Sequence, residues 1–182
     1  MSGERQVKVL FDAATIAART DAMAREIAAA KPKDLLVVAI LKGSFMFAAD
    51  LLRALHRAGL EPQVEFFHLS SYMDGTVSSG AVKILRDIDS SVRDRDVLLI
   101  DDILESGRTL AFAKDLLTAR GARRVLIATM LEKPGKRAVP IDADFVGFVC
   151  PDVFVVGYGM DVAHSYRELP FIGRVVTHDE MA

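Results

Sequence analysis

Residues 97–110 read VLLIDDILESGRTL, and the fold is decided by this stretch. Val97, Leu98, Leu99 and Ile100 form the kind of short apolar run expected of a strand buried on both faces. Asp101 and Asp102 follow at its C-terminal end, where ligands gather in a parallel sheet. Glu105-Ser106-Gly107-Arg108-Thr109 then places two hydroxyls, a glycine and a cation ahead of a helix expected from about Thr109 to Arg120. The first N–H groups of a helix lack intrahelical partners and carry partial positive charge. A phosphate held there would meet those donors, the hydroxyls of Ser106 and Thr109, and Arg108. An acidic pair beside an anion cradle suits a ligand with hydroxyls next to a phosphate, as in a sugar phosphate. The carboxylates would also help to hold Mg²⁺. No GxxxxGK[ST] spacing occurs, so this is not a Walker A loop. The plainer alternative is a solvated turn in which Ser106 only caps the helix; two adjacent aspartates behind four apolar residues weigh against it.

Outward from this stretch, helical and strand patterns alternate. Ile16, Ala17, Met23, Ala24, Ile27 and Ala28 recur at helical spacing over residues 12–30, and Lys31-Pro32 ends that helix. Residues 35–41 (LLVVAIL) form a second buried run, with a tight Lys42-Gly43-Ser44 connection to an amphipathic helix. Its stripe is Phe47, Leu51, Leu52, Leu55 and Ala58, and Gly59 stands at the expected C-cap. Strands are expected over 64–69, 81–86, 124–130, 145–149 and 153–156, with a polar loop over 70–80. The alternation predicts an α/β fold with a mainly parallel central sheet flanked by helices. A length of 182 residues suits a single domain spanning 1–182.

Composition narrows the function classes. Lys and Arg total 23 against 25 Asp and Glu, a net charge of −2, so no basic excess points to nucleic acid. Cys150 is the one cysteine, which forbids an internal disulfide and fits a reducing cytosol. No asparagine occurs, hence no glycosylation sequon. The N-terminal residues lack the apolar run of a signal peptide, and no apolar stretch approaches the about 20 residues that span a bilayer. The expectation is a cytoplasmic protein with no membrane partner. Bland roles are expected for several residues. His56, His68, His164 and His178 lack zinc-like spacing. Cys150 reads as a buried small residue in a strand, and the charged clusters at 94–96 and 123–124 as a solvated face. Gly157-Tyr158-Gly159 opens like a dinucleotide fingerprint, but Val162 stands where the third glycine belongs. Taken alone, Phe154 would be a core aromatic and Lys133, beside Pro134-Gly135, a solvated turn lysine.

VLLIDDILESGRTL resembles the phosphoribosyl-pyrophosphate motif of the type I phosphoribosyltransferases. Four further blocks match the hypoxanthine-guanine branch of that family in order and spacing: LKGSFMF (41–47), SSYMDGT (70–76), LEKPGKR (131–137) and DFVGFVCPDVFVVGYGMD (144–161). YRELPFIG (166–173) completes the resemblance, which covers nearly the whole chain. It implies the type I phosphoribosyltransferase fold, with a small hood formed by the chain-terminal segments. The implied reaction joins a 6-oxopurine to 5-phosphoribosyl 1-pyrophosphate and releases pyrophosphate, in purine salvage. Positive charge builds on the ribose as its anomeric bond weakens, so catalysis stabilises the leaving group, positions the base and excludes water.

The resemblance also implies roles. Asp101 and Asp102 would bind the ribose hydroxyls and support Mg²⁺, and Asp161 would hold a second Mg²⁺ near pyrophosphate. Ser106, Gly107, Arg108 and Thr109 would cradle the 5′-phosphate. Lys42 and Gly43 match a turn that touches pyrophosphate and often holds a non-proline cis peptide, and Arg167 matches a second pyrophosphate contact. Lys133 would donate to the purine 6-oxo group and disfavour adenine. Phe154 would stack on the base and Val155 would offer backbone contacts. Ser71 and Tyr72 match a lid that closes over the site. Glu105 and Asp102 are the catalytic candidates. Glu105-Ser106-Gly107 departs from the usual Asp-Thr-Gly, so the acceptor for the purine N7 proton would be one methylene longer, with reference pKa values of about 4.3 and 3.9 for Glu and Asp. The expected partners are the two small substrates and further copies of the chain in a homodimer or homotetramer. Two alternatives remain: the same chemistry on xanthine, and a non-catalytic regulator that senses phosphoribosyl pyrophosphate or nucleotides.

Overall fold

Three buried apolar runs lie side by side in a computed structural model that describes residues 6–71 and 82–176. Among the described residues there are two sheets and three helices. In chain order the elements are β1 (Gln6–Phe11), α1 (Ala13–Ala29), β2 (Leu36–Leu41), α2 (Phe45–Arg57), β3 (Gln63–Ser71), β4 (Val82–Arg86), β5 (Asp96–Leu104), α3 (Arg108–Ala119), β6 (Arg124–Glu132), β7 (Phe145–Val149), β8 (Val155–Val156) and β9 (Ile172–Val176). The larger sheet has the order β4-β3-β2-β5-β6-β7 and is parallel except for β4. Its strands alternate between two cores. Val37, Ala39, Leu98, Ile100, Leu126 and Ala128 face α1 and α2, whereas Leu36, Val38, Val97, Leu99, Val125 and Ile127 face α3.

The topology places the site. From β2 the chain runs through α2 to β3 on one side, and from β5 it runs through α3 to β6 on the other. β2 and β5 are neighbours, with Ala39 paired to Ile100, so the sheet order reverses between them. The crevice outside the carboxyl ends of such a strand pair is where open α/β sheets bind ligands.

Local chemistry sets the helix ends. Asp12 caps α1 by accepting from Thr15 N–H at 2.8 Å. At the end of α2, Gly59 adopts φ +86° and donates to His56 O, while Leu60 N–H reaches Leu55 O, the paired bonds of a Schellman motif. α3 ends in the same way around Gly121.

Several expectations are corrected. β5 continues through Asp101 and Asp102 to Leu104 instead of ending at Ile100, because β6 runs on to Glu132 and supplies ladder partners, Ile103 to Leu131 and Leu104 to Glu132. The strand expected over 153–156 is only Val155–Val156. Cys150 is buried, but it lies just beyond β7. Asp96 does not belong to a solvated face. It is fully buried at the start of β5, where it receives Arg123, Arg124 (2.9 Å) and the Lys33 N–H (2.9 Å). The strand start lies against the 31–34 turn and β6, so the buried carboxylate is compensated by two arginines whose side chains remain partly exposed.

β1 and β9, absent from the pattern reading, form with β8 a separate sheet of order β1-β9-β8. This is the hood expected of the chain-terminal segments. Tyr158, in its loop, donates to Asp50 of α2 at 2.7 Å and ties the hood to the main domain.

Candidate active site

The crevice at the β2–β5 junction holds two adjoining cavities that share Asp102, Ile103 and Glu105 as walls. The first, of about 290 Å³, is closed by Leu41 and Gly43 after β2, Asp101 at the end of β5, and Ser106, Gly107, Thr109 and Leu110 at the head of α3. The second, of about 500 Å³, is lined by Lys133 and Lys136 beyond β6, and by Asp152, Val153, Phe154, Val155, Met160 and Asp161.

The loop expected to cradle a phosphate turns sharply into α3. Gly107 takes φ +79°, which L side chains rarely adopt, and becomes the N-cap of α3 without a side-chain cap bond. Ser106 Oγ lies 3.4 Å from the Arg108 N–H, a long contact that leaves its hydroxyl on the cavity wall. Ser106 is half-buried instead of solvated.

Close packing joins three segments here. The Leu41–Lys42 peptide is cis. A Cβ added at Gly43 would fall 1.8 Å from Asp102 Oδ2, and one added at Gly159 would fall 2.1 Å from Gly43 O. The turn after β2, the acidic pair and the hood loop thus stack without room for a methyl group.

The electrostatics favour a cation. Burial and the neighbouring Asp102 charge push the Asp101 carboxyl well above the usual aspartate range, and burial raises Asp102 too. Asp102 N–H donates to Asp101 Oδ1 at 3.0 Å, and Arg167 exerts a small opposing pull on Asp102. Asp161 is engaged by Arg167 at 2.6 Å and accepts from the His164 N–H at 2.8 Å. Arg167 also donates to Gly159 O at 2.6 Å. No cluster of three or more ligating side chains stands ready-made among the described residues. Mg²⁺ is commonly held by one or two carboxylates plus substrate oxygens and water, so a hard, acidic donor set of this kind fits it.

In the larger cavity Lys133 is only 6 % exposed, unlike a solvated turn lysine. Its ammonium lies 3.7 Å from Glu105, which Lys136 approaches to 3.6 Å while pairing with Asp152 at 2.6 Å. Phe154 is 58 % exposed on the rim, so it is no core aromatic, and Val155 is buried beside it. Lys42, Arg108 and Arg167 line neither cavity, though Lys42 adjoins Gly43 and Arg108 opens α3. Ser71 ends β3, opposite Val82, and Tyr72 lies outside the described residues. The residue reading missed Lys136, Asp152, Ile103 and Met160. The first two stand inside matched blocks and carry charge, which was the available signal.

A family model, the phosphoribosyl transferase domain, matches residues 6–163, and the chain belongs to that family. Its relatives narrow the branch to the hypoxanthine-guanine phosphoribosyltransferases. A hypoxanthine phosphoribosyltransferase of Escherichia coli is 41% identical over 177 residues, which cover 96% of this chain and 98% of that protein. The chain also matches the bifunctional protein TilS/HprT of Listeria innocua at 47% identity over 167 residues, 91% of this chain, but it spans about a quarter (25%) of that protein's length. Among solved structures, a hypoxanthine phosphoribosyltransferase from Staphylococcus aureus superposes with a TM-score of 0.87 at 39% identity, covering 93% of this chain and 91% of that one. That of Trypanosoma cruzi gives 0.91 at 33% identity, covering 100% and 97%. No described helix is long and apolar enough to cross a membrane.

Proposed function

We propose that residues 1–182 act as one phosphoribosyltransferase domain that transfers the 5-phosphoribosyl group of 5-phosphoribosyl 1-pyrophosphate to hypoxanthine, and to guanine. The products are IMP or GMP and pyrophosphate, the chemistry of purine salvage. One observation carries this reading: Asp102 stands between a cavity at the head of α3, which Asp101 also lines, and a second cavity with a buried lysine. The 5′-phosphate, ribose and purine of a nucleotide have that order.

Within this reading Ser106, Gly107, Arg108 and Thr109 hold the 5′-phosphate. Asp101 and Asp102 accept from the ribose hydroxyls. Lys133 donates to the 6-oxo group, Phe154 stacks on the base, and Val155 offers backbone contacts beside it. Glu105 accepts the N7 proton, a contribution typically of ~10²–10⁴-fold. Lys42, Gly43 and Arg167 meet the pyrophosphate, for which Arg167 exchanges its pairing with Asp161. Asp101 and Asp102 would hold one Mg²⁺ and Asp161 a second, and these ions would supply charge neutralisation to the pyrophosphate. Ser71 and Tyr72 belong to the lid that keeps water out.

We further place the protein in the cytoplasm, as a homodimer or homotetramer. Exposed Val64 and Phe66 of β3 and Leu85 of β4 give an apolar surface for self-association. Light scattering tests the oligomer. The central test is purified protein with Mg²⁺, phosphoribosyl pyrophosphate and hypoxanthine, guanine, xanthine or adenine in turn. Pyrophosphate release is expected with the first two. Silence with every 6-oxopurine sinks the proposal, and binding without turnover in calorimetry identifies a regulator instead.

A further inference from the structure

Arg137 lines neither of the two cavities, yet it joins the segments that supply both. Its Nη1 donates to Glu105 O (2.8 Å), Leu104 O (2.9 Å) and Lys133 O (3.3 Å). Its Nε donates to Ile141 O (3.2 Å), and its Nη2 pairs with Glu132. Two further backbone bonds run alongside: Lys133 N–H to Leu104 O (3.0 Å) and Ala138 N–H to Ser106 O (2.9 Å). Ile141 also packs beneath the anion cradle, where a Cβ on Gly107 would meet its Cγ2 at 2.4 Å. The guanidinium therefore sits below the two side chains assigned to the purine. Glu105 and Lys133 point into the same cavity 3.7 Å apart, while the carbonyl oxygens of both residues rest on one nitrogen of Arg137.

We propose that Arg137 is a positioning residue, which sets the spacing of Glu105 and Lys133 and so registers the purine against the phosphate cradle. This rests on the roles given above to Glu105 and Lys133. The chemistry requires a guanidinium. Five N–H donors in a rigid plane serve four carbonyls and a carboxylate from one point, whereas a lysine offers three donors on a single flexible nitrogen. With Arg137 replaced, the half-buried carbonyls of Glu105 and Ile141 lose its N–H donors, and the segment after Lys133 is held to β5 and the loop beyond it by the Lys133–Leu104 and Ala138–Ser106 backbone bonds alone, which leaves its spacing from Glu105 looser. Misplacement of about 1 Å in a reacting group is enough to cost ~10²-fold in rate.

The test compares Arg137→Lys and Arg137→Gln with Lys133→Ala, Glu105→Gln and the double variant Arg137→Lys/Lys133→Ala. Steady-state kinetics are read on hypoxanthine and adenine, and phosphoribosyl pyrophosphate binding is read by calorimetry. For Arg137→Lys, kcat/KM on hypoxanthine falls about 10- to 100-fold and discrimination against adenine narrows. Binding of phosphoribosyl pyrophosphate changes less than about threefold, and the double variant loses less than the product of its single effects. Wild-type kinetics in Arg137→Lys overturn the proposal. So do equal losses in purine kinetics and phosphoribosyl pyrophosphate binding, which mark a scaffold role only, and so does a fully multiplicative double variant. If Lys133→Ala and Glu105→Gln are themselves silent, the underlying roles have failed and the proposal falls with them. If those two are costly and Arg137→Lys is not, only the proposal on Arg137 falls.

Discussion

Replacing Gly43 with alanine adds one methyl group at the tightest point of the site. Gly43 does not adopt a positive φ, so alanine meets no backbone penalty there. The cost is steric and directional: the new Cβ falls 1.8 Å from Asp102 Oδ2 and 2.6 Å from its Cγ. Ordinary contact begins near 3.4 Å, so the carboxylate must retreat by about 1.6 Å. The atoms in the way are the end of a side chain, which can rotate, and not backbone. Global stability should therefore fall by no more than about 1 kcal/mol, within the range of ordinary substitutions.

Activity should respond very differently. Asp102 lines both cavities, and a misplacement of ~1 Å in a reacting or binding group costs about 10²-fold. Gly43→Ala is thus expected to lower kcat/KM for phosphoribosyl pyrophosphate by about 10²-fold or more while the urea midpoint barely moves. Gly159→Ala is the contrasting control. Its Cβ meets the Gly43 carbonyl at 2.1 Å and its φ is +99°, so backbone must shift and stability falls along with activity. Gly43→Ala with activity within about threefold of wild type would refute the reasoning, because the position of the Asp102 carboxylate would then not matter at the ~10²-fold level.

Lys133→Ala should raise KM for hypoxanthine and narrow the preference over adenine by about 10-fold or more, read as the ratio of kcat/KM values; unchanged selectivity removes Lys133 from base recognition. Asp161→Asn should move the Mg²⁺ activation curve to higher concentration, and an identical curve across the titration refutes its metal role. Acid should unfold the protein partly through Asp96. Burial alone would raise this carboxyl, but the Lys33 N–H, Arg124 and Arg123 outweigh it and hold the group below its ordinary value. Arg19 and Arg120 hold Glu26 and Asp87 low in the same sense. A depressed folded-state pKa stabilises above the unfolded value of about 4 and is lost as pH falls through the lower folded value. The urea midpoint should therefore drop below about pH 4, and Asp96→Asn should flatten that drop; an unchanged slope in the variant refutes the assignment.

What could be read from residues alone follows from the range of the interactions. β2, β5 and β6 are buried on both faces, so their apolar runs announce them, and α1 and α2 show the periodicity of helices with one covered face. β1 and β9 are illegible because neither has a continuous buried run or a clear alternation, and their main pairing is with the opposite end of the chain, Val7 with Val175 and Lys8 with Arg174. No local pattern encodes a partner about 170 positions away. The ends of β5 and β6 were misjudged for a related reason: charge in Asp101, Asp102 and Glu132 reads as loop, yet the two strands pair with each other past those residues. Asp96 erred the other way, since a carboxylate reads as surface until its two arginines are brought beside it by β6. The candidate site divides along the same line. The loop proposed to hold the phosphate is contiguous from Glu105 to Thr109, so its spacing alone suggests that role. The cavity proposed for the purine is assembled from the ends of β5 and β6 and from the hood, and Lys133 and Phe154 look bland until those segments meet. The family resemblance implies that meeting. It includes Arg137 as the last residue of LEKPGKR but implies no role for it, since the contacts of Arg137 are almost all with backbone carbonyls that any sequence at those positions would present. A residue that works by holding main chain leaves its signature only in three dimensions.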